Sequence, residues 1–182
     1  AWFFFDLPDV DESLKATRKP VITVVSADKR VLTAQGQFYG LPKKVEDLPK
    51  DLINAVLATE DRRIYAHFGL DFIGLVRAVW VNLQAGRIVQ GGSTLTQQVA
   101  KNLFLTPVRS IKRKIQELML ALWLENRFSK DQILTIYLNR VYLGAGTYGV
   151  DAAAKKYFHR EVENITTYQA ALLAGLLKAP SR

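Results

Sequence analysis

The chain has 182 residues and a mass of 20.5 kDa, enough for one domain with a real core and too little for two full enzymatic domains. Apolar residues make up 49% and charged residues 23%, and cysteine is absent, which excludes wholesale disorder, disulfide frameworks, thiol nucleophiles and thiolate metal sites. The formal charge of +8 is concentrated: Phe72 to Gln116 contains no Asp or Glu but carries Arg77, Arg87, Lys101, Arg109, Lys112, Arg113 and Lys114, a field that attracts nucleic acid, anionic lipid or a phosphorylated substrate.

Residues 1–19 read as an N-terminal tail. Trp2, Phe3, Phe4 and Phe5 are of types that collect at membrane interfaces, so the tail is either the remnant of a transmembrane anchor or a strand on the core. No run of eighteen apolar residues is present, and none of the chain is expected to span a bilayer. Residues 20–182 read as one domain, truncated at its C-terminus. Val21–Ser26 and Val31–Phe38 are β-rich runs separated by a short polar turn, which predicts a strand pair. Beyond Pro42 the pattern turns helical. Ile53, Val56 and Leu57 follow Pro49 at helical spacing, and the same stripe continues to Glu60 and Ile64. Phe72, Ile73, Leu75, Val76, Val79, Trp80 and Leu83 form a broad apolar stripe that Gly86 ends. Further helices start at Ser93 or Thr94, at Ser110, at Ser129 with a capping box to Gln132, and at Thr166 with Gln169.

Three places could carry chemistry. Glu60 puts a carboxylate on an apolar helix face, where burial would raise its proton affinity towards that of a general acid or base; the alternative is an ion pair with Arg62 or Arg63. Gly91-Gly92-Ser93-Thr94 before a helix offers backbone N–H groups to an anion, and Thr94, Gln97, Gln98 and Lys101 share one helical face suited to sugars and phosphates. Without a Gly-Lys-Ser/Thr sequence this is no nucleotide loop. Glu117 enters an apolar helix beside Arg113 and Lys114, either as a strut or as a site group. His67 and His159 are too few for a metal centre, and no metal ligand is assigned.

Glu60 to Asp71 (EDRRIYAHFGLD) resembles the first motif of the peptidoglycan glycosyltransferases found in class A penicillin-binding proteins and monofunctional transglycosylases. Gly91–Gln98 (GGSTLTQQ), Arg113–Glu117 (RKIQE) and Lys130–Asn139 (KDQILTIYLN) resemble the next three motifs in order, with Ile64 in place of the usual Phe. The resemblance implies a mainly α, lysozyme-like helical lobe with a smaller membrane-proximal lobe and a short N-terminal β element. It implies polymerisation of lipid II into β-1,4 glycan with inversion and release of polyprenyl diphosphate. Glu60 would be the base and Glu117 the second catalytic glutamate. Ser93, Thr94, Gln97, Gln98, Lys101, Asn102, Arg109, Arg113 and Lys114 would bind substrate, and Asp61, Arg62, His67 and Asn139 would support them. No cofactor is obligatory, although a divalent Mg or Mn ion on the diphosphate is compatible. Partners would be lipid II, the growing glycan, the membrane surface and a C-terminal transpeptidase domain of the full protein, with no nucleic acid. The place would be the outer side of the bacterial cytoplasmic membrane. Leu103, Phe104, Leu105 and Pro107 are expected at the headgroup boundary. A lysozyme-like hydrolase is the alternative.

Overall fold

The computed structural model describes residues 22–25, 31–35, 38–105 and 110–178. Strands β1 (Ile22–Val25) and β2 (Val31–Gln35) pair antiparallel, as the two β-rich runs predict. A two-residue strand β3 (Phe38–Tyr39) then pairs in parallel with β4 (Thr147–Tyr148), a contact across 109 residues that no local pattern announces. Seven α-helices complete the described residues: α1 (Lys50–Glu60), α2 (Phe72–Ala85), α3 (Leu95–Phe104), α4 (Ile111–Arg127), α5 (Lys130–Arg140), α6 (Val150–Phe158) and α7 (Thr167–Lys178). The protein is therefore mainly α. None of these helices is long and apolar enough to cross a membrane.

The described residues fall into two compact units, Glu60–Tyr137 in one and the segments up to Thr59 and from Leu138 in the other. Each has its own buried side chains. In the first, α3 packs on α4, with Leu95, Val99, Ala100, Leu120, Ala121 and Leu124 at the contact level of burial expected for a core. In the second, Leu52, Val56, Leu143, Val150, Val162 and Leu173 are buried. There Asp151, at the start of α6, accepts a hydrogen bond from Leu41 N at 2.8 Å. Asn139 clamps the backbone of Lys43 from both sides, accepting from its N at 2.8 Å and donating to its O at 2.6 Å.

The helix boundaries follow from local chemistry. Thr94 caps α3 with a full capping box, its hydroxyl accepting from Gln97 N while Gln97 Oε1 accepts from Thr94 N. Ser110 caps α4. The pairs Ser129–Gln132 and Thr166–Gln169 make the same reciprocal bonds. Gly86, at φ 62°, ends α2 in the left-handed conformation that a side chain disfavours. The stripe from Ile53 to Ile64 needs correction: α1 stops at Glu60, and Ile64 is buried in a separate 3-10 turn, Ile64–Ala66.

On α4 the buried side bears Glu117, Ala121 and Leu124, so Glu117 does enter buried surroundings, while Ile111 and Leu122 are exposed. The apolar stripe on α2 is a different case. On α2 only Gly74 and Ala78 are buried; Phe72, Ile73, Val76, Trp80 and Leu83 are each at least 63% exposed. Phe72, Ile73, Val76 and Trp80, with Arg77, line an open groove of about 500 Å³.

Candidate active site

Glu60 is the last residue of α1 and is half-buried. Its Oε2 accepts a hydrogen bond from Gln98 Nε2 at 2.6 Å. The next residue, Asp61, is 7% exposed; its Oδ2 accepts from Leu95 N at 3.0 Å, which is the first amide of α3. That carboxylate satisfies one of the orphan donors at the helix start and complements the positive end of the helix dipole. The ring of His67 is buried beside it, with Nε2 3.1 Å from both carboxylate oxygens, so Nε2 carries the hydrogen it donates. The hydroxyl of Thr94 donates to Gly69 O at 2.8 Å. Gly69 itself stands at φ 70°, and a Cβ there would meet the Ala121 backbone at 3.4 Å. The motif-one segment is thus folded back as a bracket around the first turn of α3.

A second network braces the bracket from behind. Glu125 is 9% exposed and accepts from Thr96 Oγ1 at 2.6 Å and from Lys130 Nζ at 2.7 Å. Lys130 Nζ also donates to His67 O at 2.7 Å. Tyr137, buried on α5, has its phenol pKa pushed well up by burial first and by the charge of Glu60 second, so it stays a neutral neighbour of that carboxylate. None of Thr96, Glu125 or Tyr137 is picked out by motif reasoning as a site residue; Thr96 and Glu125 are 29 residues apart, and only the fold brings them together.

Glu117 is 3% exposed. Its Oε1 contacts Lys114 Nζ, and its Oε2 lies 4.0 Å from Arg113 Nη1. Lys114 Nζ also donates to Ser93 Oγ at 2.9 Å, with about half of its side chain open to water. One buried anion therefore sets two cations at the approach to α3.

The transglycosylase family model matches residues 28–182. The chain belongs to that family. It is 45% identical over 176 residues to penicillin-binding protein 1A of Vibrio cholerae, covering 97% of this chain and 21% of that protein. To penicillin-binding protein 1A of Aquifex aeolicus it is 50% identical over 159 residues, covering 84% and 22%. The transglycosylase domain described by these residues thus spans about a fifth of the length of those relatives. A crystal structure of penicillin-binding protein 1A from Haemophilus influenzae aligns with 91% of this chain and 15% of that one, at 25% identity and a TM-score of 0.45.

Within this transglycosylase domain the sequence-predicted residues do not all meet. In the first unit Glu60 pairs with Gln98, Asp61 with His67 and Leu95 N, and Ser93, Arg113 and Glu117 gather around Lys114. Lys101 is half-buried and Asn102 exposed on the same α3, and Arg62 is exposed. Asn139 belongs to the second unit, where it holds Lys43. Arg109 and Pro107 lie outside the described residues, as do Trp2 to Phe5. The α3 start departs from the expected anion seat, because Thr94 N, Leu95 N and Gln97 N are already taken by Gln97, Asp61 and Thr94. Thr94 and Gln97 are buried capping groups in this structure, so an anion arriving here would meet Ser93 and Lys114. Phe104, expected at a membrane boundary, is buried in the core.

Among the described residues, one group of three carboxylates has the spacing to hold a cation: Asp151, Glu161 and Glu163, in the second unit. It is already countered. Lys43 bonds Glu163 at 2.5 Å, and Lys155 lies 3.1 Å from both Asp151 and Glu161.

Proposed function

We propose that this domain is a peptidoglycan glycosyltransferase that polymerises lipid II into linear β-1,4 glycan strands. The reaction inverts the anomeric carbon. The acceptor's 4-hydroxyl loses its proton to Glu60, its oxygen forms the new bond to the donor's C1, and the C1–oxygen bond to the polyprenyl diphosphate breaks, the diphosphate leaving with the electron pair. The base raises the nucleophilicity of an alcohol that is otherwise far too weak an acid. The leaving group needs positive charge where its negative charge develops. Lys114, Arg113 and Ser93 supply that in this reading, joined by Lys101 and Arg109, and Glu117 holds Arg113 and Lys114 in position.

The observation that supports this reading most is the approach to α3 and its first turns. Gln98, in the N-terminal half of the helix, touches Glu60, and Ser93, just before the cap, touches Lys114. Five residues separate them, roughly 10 Å at helical and near-helical rise, the scale of a sugar and its diphosphate. A glycan hydrolase has no use for cations at that distance, whereas a departing diphosphate does. No divalent ion is obligatory in this scheme, since fixed cations meet the charge; Mg or Mn bridging the diphosphate would add Lewis-acid stabilisation on the substrate itself. Nucleic acid has no place in it.

The membrane is the second partner. The lipid-linked substrate has to be met at a headgroup surface, and α2 offers Trp80, Phe72 and Ile73 outward beside Arg77, the pairing of apolar, aromatic and basic groups that lies in an interface. The domain would work on the outer face of the bacterial cytoplasmic membrane, with a transpeptidase domain C-terminal to it in the full protein. The deciding experiment gives the protein lipid II and separates products by size. A ladder of lengthening glycans is expected from the wild type, and none from Glu60→Gln, with turnover down at least about 100-fold while lipid II still binds. Inert lipid II together with shortening of preformed glycan would replace the polymerase with a hydrolase.

A further inference from the structure

We propose that Gln98 is a positioning residue for Glu60: it holds one carboxylate oxygen so that the other is left to take the acceptor's proton. The inference rests on Glu60 being the base and deepens that reading, because residue pattern alone places Gln98 among groups that touch sugar or phosphate.

The geometry is a two-point grip. Glu60 and Asp61 are adjacent in the chain, and their partners on α3, Gln98 and Leu95, are one turn apart at i and i+3. Asp61 takes the first backbone amide of the helix; Glu60 takes the side-chain amide one turn later. Both contacts go to the N-terminal half of α3, whose start is fixed by the Thr94–Gln97 box and by the Thr94 hydroxyl on Gly69. A rigid helix end therefore sets the rotamer of the base, which is how a general base is kept in line with its proton before substrate arrives.

The choice of an amide is what makes the grip compatible with base chemistry. A lysine or arginine at the same 2.6 Å would lower the carboxylate's affinity for a proton far more than a neutral donor does. Gln98 orients Oε2 without bringing a positive charge onto the carboxylate. The titratable and charged groups in the surroundings fit this. Tyr137 on α5 is a buried neutral phenol. Asp61 is committed to Leu95 and His67. Arg62 is exposed, and Lys101 is three residues beyond Gln98 on α3.

The test compares the wild type with Gln98→Ala and Gln98→Glu, each a helix-compatible change, by two readouts. In protein carrying ¹³C-labelled glutamate carboxyls, with Glu60 assigned by loss of its signal in Glu60→Gln, the Glu60 carboxyl resonance at neutral pH is expected to broaden or split in both variants, as the unheld side chain samples more than one rotamer. With lipid II as substrate, kcat is expected to fall about tenfold while KM changes by less than about threefold. An unchanged Glu60 resonance overturns the inference, as does an unchanged kcat accompanied by a KM rise of about tenfold or more, which marks Gln98 as a plain substrate contact. The resonance needs no turnover. A wild type that leaves lipid II unpolymerised would defeat the functional reading, and the carboxyl signal would still decide whether Gln98 holds Glu60.

Discussion

Glu60 and Glu117 are the two glutamates of the candidate site, and their surroundings are opposite. Glu60 is half-buried and held by a neutral amide. Glu117 is almost fully buried and held by Lys114 and Arg113. In the proposed reaction Glu60 is the base and Glu117 organises cations, and the difference between the two is what each carboxylate touches.

The comparison breaks most sharply at Glu60, where Gln removes the acceptor and leaves the packing, so the loss of turnover in the lipid II assay should exceed that of any other single change. Glu117→Gln should cost less in rate, about 10- to 100-fold in kcat, and more in stability. It leaves Arg113, whose Nε is already buried without a partner, facing Lys114 with no anion between them. Losing one partner of a buried pair costs a few kcal/mol, here reduced to about 1–2 kcal/mol because Lys114 reaches water. Thermal unfolding reads that loss directly. Lipid II binding should also become more sensitive to salt, since the local charge turns more positive. A Glu117→Gln protein with wild-type melting temperature and salt dependence would mean that this carboxylate organises nothing.

Asp61→Asn sharpens the same contrast from the side of the bracket. The substitution keeps the shape but removes the charge at the start of α3, where both Leu95 N and His67 Nε2 need an acceptor. A loss of about 1 kcal/mol in unfolding free energy is expected, with kcat reduced about tenfold through the displaced helix end. If stability falls while kcat stays, the bracket and the base are not coupled.

How much of this could be read from residues alone depends on range. The capping pairs Thr94–Gln97, Ser129–Gln132 and Thr166–Gln169 are each completed within four residues, and sequence pattern finds them. Glu60, Gln98, Arg113, Lys114 and Glu117 are legible because ordered motifs carry them. The Thr96–Glu125–Lys130–His67 network is not, because it joins four elements that only the fold brings together. The outward face of α2 fails for another reason: periodicity reports that a face is apolar and says nothing of what covers it.

The smallest effect belongs to the neutral side of the comparison. The phenols of Tyr65 and Tyr137 are both held above their ordinary values, Tyr65 pushed up to about 12, each by burial first, then by Asp131 or Glu60 respectively. Tyr65 donates to Asp131 Oδ1 at 2.8 Å, a bond that exists only while the phenol is protonated. Below about pH 10 both phenols are protonated in the folded and the unfolded chain, so they give stability no slope. Above it the unfolded chain releases protons that the native state keeps, and native stability must fall as pH rises. Urea unfolding between pH 8 and 12 should therefore be flat from these groups at first and decline above 10. Tyr137→Phe should make that decline shallower while leaving the lipid II rate at neutral pH within about threefold, because Tyr137 serves Glu60 there only by carrying no charge. A large loss of neutral-pH activity in Tyr137→Phe would mean that the hydroxyl itself takes part, and that Glu60 has a second polar partner besides Gln98.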